Sequence, residues 1–211
     1  MLHGWVTRAW LKKQHAKWLE EMEEKGTLEV YGEESGGCVV MDVRNGDILC
    51  MVSAPSFDPN MFVGGVPSRV YGALRDYERK PLLDKTLNGT FPPGSTFKPF
   101  MAMAALNSGK RGPGTIVHDG GSFHFGGHEF RSHGDHGLGA VDLHRSIVAS
   151  SNVYYYALAN DMGVDLIHDF MKPLGFGQIT GIDLKGEVRG VLPSQAWKRQ
   201  TYKRPEQQKW Y

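Results

Sequence analysis

The sequence predicts a mixed α/β (α+β) fold, in which an antiparallel strand pair precedes a succession of helices. Two observations carry this. "GGCVVMDVRNGDILCMVS", residues 36–53, holds two β-rich runs on either side of Asn45-Gly46, a dipeptide that favours a two-residue type I′ hairpin turn. From Thr96 onward, apolar runs with helix-start residues before them and glycines behind them recur at helical length. The elements follow in chain order.

Residues 5–25, "WVTRAWLKKQHAKWLEEMEEK", read as a helix with Leu11, Trp18 and Met22 on one face and Gly26 as its stop. Its tryptophans serve either tertiary packing or a partner surface. The domain division read from the sequence is residues 1–30, an N-terminal helix of unclear origin, and residues 31–211, the main body. A two-residue turn at Asn45-Gly46 sets Arg44 opposite Asp47, Met41 opposite Cys50 and Ser53 opposite Cys38. Side-chain alternation then puts Cys38 and Cys50 on opposite faces of the sheet, as buried free thiols with no intrachain disulfide. Both faces carry apolar residues, Val39, Met41, Ile48 and Val52 on one and Val40, Leu49 and Met51 on the other, so cover on both sides is expected.

"SAPSFDPNMF" is a proline-broken loop, and residues 67–90 read as loop with a short helix. A helix runs from Thr96 to about Ser108, closed by Gly109. Residues 112–139 are rich in glycine and histidine and read as loop or irregular hairpin. "VDLHRSIVAS" is a helix with Asp142 as N-cap, "SSN" interrupts it, and "VYYYALANDMG" starts another that ends at Gly163. "VDLIHDFMKPLGFG" continues with Asp165 near its cap and Pro173 at its end, before a loop and a short final helix.

The 211 residues are 40% apolar and 22% charged with a net charge of +1, which is the composition of a folded protein and not of a nucleic-acid binder. The sequence shows neither an 18-residue apolar run nor the apolar centre of a signal peptide.

"PPGSTFKPF", residues 92–100, places Ser95 and Lys98 three apart at a helix start. Residues at that spacing share a helix face, so hydroxyl and amine can come within hydrogen-bond reach. A serine hydroxyl is a weak nucleophile until a base takes its proton, and a lysine serves as that base only when burial or nearby cations lower its pKa. A helix N-terminus adds stabilisation for an oxyanion. Against this, a Ser-x-x-Lys match arises roughly once by chance in a chain this long, and serine is an ordinary N-cap. Ser150 and Asn152 sit on the break between two helices, where they could relay a proton and hold an amide, or simply cap the second helix.

"GGCVVMDVRNGDILCMVSAPSFDPNMF", "NGTFPPGSTFKPFMAMAALNSG", "SIVASSNVYYYALANDMG" and "TGIDL" together resemble the class B penicillin-binding proteins, and among them the elongation-type penicillin-binding protein 2. The resemblance runs from about Gly36 to Tyr211, with the motifs in family order and spacing. It implies the penicillin-binding protein and serine β-lactamase-like fold, a central antiparallel sheet with helices, and a peptidoglycan D,D-transpeptidase sensitive to penicillin. It also implies Ser95 as acylated nucleophile, Lys98 as general base, Ser150 as proton relay and Asn152 as holder of the substrate amide. No cofactor is implied. The implied partners are D-Ala-D-Ala stem peptides, β-lactam antibiotics and a SEDS-type glycan polymerase, at the periplasmic face of a bacterial inner membrane. A β-lactamase or D,D-carboxypeptidase of the same fold, or a non-catalytic interaction fragment, is the alternative. No Lys-Thr-Gly motif occurs. The chain is therefore expected to be a C-terminally truncated fragment without the sheet's last strands, which could be inert alone.

Some relatives bind a structural zinc through two aspartates, a histidine and a cysteine. The corresponding positions fall at Asp119, Ser132, Leu138 and Ser151, so no metal site is expected unless His133 or His136 substitutes. The crowding of His118, His124, His128, His133 and His136 with Asp119, Glu129 and Asp135 then reads as a solvated polar loop, since it has no crisp metal spacing.

Overall fold

The structure is a computed structural model that describes residues 35–132 and 136–210. The expected helix at 5–25, the division at residue 30, and His133 and Asp135 lie outside the described residues. The chain divides into two compact units: the residues up to Thr90 with Lys185–Val188, and Phe91–Leu184 with the residues from Arg189 onward.

The first unit opens with strands β1 (Gly36–Met41) and β2 (Ile48–Ala54), an antiparallel pair. The expected register is corrected by the turn. Only Gly46 of the Asn45-Gly46 pair adopts a positive φ, 85°, whereas a type I′ turn needs it at both residues. The chain instead wraps around Asp42. Its carboxylate accepts from the Arg44 N–H at 2.9 Å, and its carbonyl accepts from the Gly46 N–H at 2.8 Å. The longer loop moves the pairing to Val40 opposite Cys50 and Cys38 opposite Val52, with a bulge beyond Val40. A shift of one residue exchanges faces. Cys38 and Cys50 therefore lie on the same face, free and exposed, and not buried on opposite faces.

Val39 and Val40, which point to opposite faces, are 46% and 45% exposed, so among the described residues neither face has the expected cover. The packing of the unit concentrates at the other end of the hairpin. There the Ser53 hydroxyl donates to the Leu83 carbonyl and accepts from the Lys85 N–H, at 3.1 and 3.0 Å. Helix α1 (Ser68–Asp76) contributes the fully buried Leu74, and the Leu87 carbonyl accepts from the Val188 N–H.

The second unit carries the main core. A 3₁₀ turn, Gly94–Phe97, runs directly into helix α2 (Lys98–Asn107), so the helix starts tighter than the sequence implies. Residues 112–139 form two antiparallel ladders. Strand β3 (Val117–Asp119) pairs with β6 (Gly139–Val141), and β4 (Ser122–Phe125) pairs with β5 (His128–Arg131). Gly126 and Gly127 both have positive φ, so the second ladder makes the two-residue turn that the first hairpin lacks.

Helix α3 (Leu143–Val148) is capped by Asp142, whose carboxylate accepts from the Arg145 N–H at 2.7 Å. Helix α4 (Asn152–Met171) is broken at Gly163, where φ is 72° and ψ is 163°, at the expected stop. A 3₁₀ turn follows at Lys172–Leu174, and helices α5 (Gln195–Thr201) and α6 (Pro205–Gln208) end the described chain.

Met101, Ala102, Ala104 and Ala105 of α2 pack with Tyr154, Tyr155, Leu158, Met162 and Met171 of α4, joined by Val141 and Leu143. Each fully buried large side chain in this set stabilises the unit by about 1.5–3 kcal/mol. The alanines bring α2 close to α4, and that closeness sets the distance between the residues at the two helix starts.

The β3–β6 end of this unit allows no extra atom at Gly137. A Cβ there would lie 2.3 Å from the Asp119 carbonyl oxygen and 2.6 Å from the Gly120 carbonyl carbon, and backbone cannot rotate away. Gly137→Ala is expected to destabilise the chain by about 1–3 kcal/mol. The thermal unfolding midpoint measures this, and an unchanged midpoint would refute the close approach.

Candidate active site

Four polar side chains from two helix starts meet in the second unit. Ser95 lies on the 3₁₀ turn, Lys98 opens α2, Ser150 precedes α4 and Asn152 is its first residue. The Lys98 Nζ donates to the Ser150 carbonyl at 2.6 Å, to Ser150 Oγ at 2.9 Å and to Asn152 Oδ1 at 2.6 Å. Ser150 Oγ in turn lies 3.0 Å from Ser95 Oγ, to which it donates. The spacing of Ser95 and Lys98 leads one to expect a direct bond. The hydrogen bonds run through Ser150 instead, because three oxygens of the 150–152 turn draw the amine toward α4. A hydroxyl rotates and can donate in either direction, so Ser95, Ser150 and Lys98 form a path along which a proton can pass both ways.

Ser150 is held at φ 52°, a region that a residue with a Cβ seldom occupies. Its neighbours keep it there. The Ser150 N–H donates to the Ile147 carbonyl and the Ser151 N–H to the Ser146 carbonyl, at 3.2 and 3.0 Å. Ser146 is buried, and its hydroxyl bonds the Leu143 carbonyl and the Tyr155 hydroxyl. The Tyr155 ring centroid is 5.6 Å from the Lys98 Nζ, so an aromatic face lies beside the cation.

Ser95, Lys98, Ser150 and Asn152 stand out in the sequence, and the structure gathers all four. Ser146 and Tyr155, which bond each other beside the turn, carry no sequence signal, and Asp119 and Ser151 stand out only as remnants of a metal site. Their signal was weak: a buried carboxylate has no sequence pattern of its own.

The four positions Asp119, Ser132, Leu138 and Ser151 do not make a zinc donor set by themselves, and His133 lies outside the described residues. Asp119 Oδ2 accepts from Ser151 Oγ at 2.6 Å and its Oδ1 accepts from the Gly121 N–H at 2.9 Å, so both oxygens are engaged. Leu138 has no donor atom, and serine hydroxyls at 132 and 151 are poor substitutes for thiolate or imidazole. Among the described residues, no three histidine, cysteine or acidic side chains come together as a metal site. His124 lies 3.7 Å from Glu129, which also pairs with Arg131 at 3.0 Å.

A serine hydroxyl becomes a nucleophile when a base takes its proton, and here Ser95 is linked through Ser150 to a half-buried amine at a helix start. The comparisons give the family. Residues 36–205 match the penicillin binding protein transpeptidase domain, and the chain belongs to that family. It is 44% identical over 170 residues to the peptidoglycan D,D-transpeptidase MrdA of Acinetobacter baumannii, covering 80% of this chain and 25% of that protein. A crystal structure of Pseudomonas aeruginosa PBP2 in complex with WCK 5153 matches with TM-score 0.76 and 38% identity, over 93% of this chain and 43% of that one. A structure described as coordinating polymerization and crosslinking by a peptidoglycan synthase complex matches with TM-score 0.69 and 31% identity, over 93% of this chain and 35% of that one. The chain spans about a quarter of the length of the curated relatives it matches. These likenesses agree with the mixed helix-and-sheet fold expected from the sequence.

Burial pulls the Lys98 amine below the ordinary lysine value of 10.5. Its three oxygen partners match the three hydrogens of an ammonium, so the charged form is held in place while burial makes its deprotonation easier. Between the folded pKa and 10.5 the folded chain binds fewer protons than the unfolded one, so this group makes stability rise with pH across that window. Below the window the cost of the buried charge is fully present. The Lys98 side chain is expected to titrate below pH 10.5, followed by carbon NMR of labelled lysine with Lys98→Arg for assignment. A midpoint at or above 10.5 would contradict the burial.

Proposed function

We propose that this chain carries the acyl-transfer residues of a peptidoglycan D,D-transpeptidase that crosslinks stem peptides during cell elongation. The observation that carries the reading is the continuous hydrogen-bonded path Ser95–Ser150–Lys98–Asn152. Ser95 Oγ attacks the penultimate D-Ala carbonyl of a D-Ala-D-Ala stem peptide. Its proton passes through Ser150 and Lys98 to the amine of the departing D-Ala, so the C–N bond breaks as the ester forms. An amine of a neighbouring stem peptide then attacks the ester, returns a proton along the same path and leaves a crosslink. Asn152 hydrogen-bonds the substrate amide, and the Ser95 N–H at the first turn contributes to the oxyanion site. A β-lactam acylates the same hydroxyl and stays.

The matched MrdA proteins are named as peptidoglycan D,D-transpeptidases, and the synthase complex pairs crosslinking with polymerization, which supports a cell-wall substrate and a partner assembly. The finer assignments, a SEDS-type glycan polymerase as partner and the periplasmic face of the inner membrane as location, follow from this reading. No helix of the described residues is long and apolar enough to cross a membrane.

The test is covalent labelling of the full-length gene product with a fluorescent penicillin. Peptide mapping is expected to find the label on Ser95, Ser95→Ala to abolish it, and Lys98→Ala to slow acylation by about 10²-fold or more. Equal labelling of Ser95→Ala and wild type would sink the assignment.

A further inference from the structure

Asp119 closes strand β3, and its side chain is 1% exposed. Ser151, fully buried, lies between the two residues of the 150–152 turn that hold Lys98. The Ser151 hydroxyl donates to Asp119 Oδ2 at 2.6 Å and accepts from the Tyr154 N–H at 3.1 Å, so one oxygen ties the carboxylate to the first turn of α4. The other carboxylate oxygen is fixed by the Gly121 N–H, and Gly137 leaves just enough room for this backbone to close. The peptide units that leave Ser151 on one side and the other are those of Ser150 and Asn152. Holding Ser151 from inside the molecule therefore fixes the direction in which both neighbours present their oxygens.

We infer that the Asp119–Ser151 hydrogen bond is a metal-independent clip, with Asp119 as a positioning residue that keeps Ser150 at positive φ between Ser95 and Lys98. This rests on the acyl-transfer reading of Ser95. A carboxylate and a hydroxyl that both lack solvent supply this constraint with no metal ion between them. Such a bond is costly to leave half-made in the interior, because the surviving partner has no water to turn to.

The test uses the full-length gene product and stopped-flow acylation by a fluorescent penicillin, which separates the limiting acylation rate from the half-saturating concentration. Asp119→Ala and Ser151→Ala are each expected to lower the limiting rate by about tenfold or more, the scale of misplaced reacting groups. The half-saturating concentration is expected to stay within about threefold, since the clip acts on positioning and not on uptake. Asp119→Asn can accept from the Gly121 N–H and donate to the Ser151 hydroxyl, and it is expected to recover most of the rate. A chelator is expected to leave the wild-type rate unchanged. A wild-type limiting rate in Ser151→Ala, or a rate lost to the chelator, would overturn the clip. If wild type is not acylated at all, the acyl-transfer reading falls. The clip is then judged by hydrogen exchange at the Tyr154 amide, which must quicken in Ser151→Ala for it to stand.

Discussion

An ammonium has three hydrogens, and Lys98 finds three oxygens for them on a single turn of chain. Two of the oxygens belong to Ser150, whose φ of 52° turns its carbonyl and its hydroxyl toward the same amine. The third belongs to Asn152, the first residue of α4. Since Ser150 Oγ also reaches Ser95, the strained residue is both the clamp on the proposed base and the bridge to the proposed nucleophile. Strain at one residue persists only where the surroundings over-determine it. Here the Ile147 and Ser146 carbonyls, the Ser146 hydroxyl on Tyr155 and the buried bond of Ser151 to Asp119 supply that constraint.

The core explains why the meeting is reproducible. Lys98 and Asn152 stand 54 residues apart in sequence, so their distance is a property of how α2 packs on α4. Alanines at 102, 104 and 105 let the helices approach, and Tyr154, Tyr155 and Leu158 of α4 are buried in the same cluster. Close-packed interiors transmit displacement, so a change in the α2–α4 contact is felt at the amine.

The sequence made the four polar residues and most of the helices legible because each depends on local rules: a glycine stop at Gly109 and Gly163, an acidic cap at Asp142, two residues at helical spacing. It failed at the first hairpin because two local preferences competed there. Asn45-Gly46 favoured a two-residue turn, but Asp42 offered a carboxylate to the Arg44 N–H and guanidinium, and the longer loop moved the pairing from Gly36 to Val40 by one residue. It also could not show that Lys98 reaches Ser95 through Ser150. That route is set by a backbone angle, and no residue type announces a positive φ at a serine. Asp119 was hidden for a third reason: its partner lies 32 residues away, and only the fold brings the two together.

Exposure in this site is graded in a way that fits its proposed chemistry. Ser95 and Ser150 are exposed, Lys98 and Asn152 are half-buried, and Ser146, Ser151 and Asp119 are buried. A peptide within a cell-wall polymer is too large to be engulfed, so under the proposed function the attacking hydroxyl has to stand at the surface. Groups at a surface are poorly fixed by packing, which is the difficulty this arrangement resolves. Lys98 sits one layer down, where desolvation lowers its pKa while its neighbours hold it in reach of the hydroxyl bridge. Orientation comes from the layer below that, where hydrogen bonds have no competing water and are strongest. A metal is one means of fixing that lowest layer. A carboxylate and a hydroxyl that face each other in the dry interior are another, and they leave the turn's geometry to covalently attached groups alone.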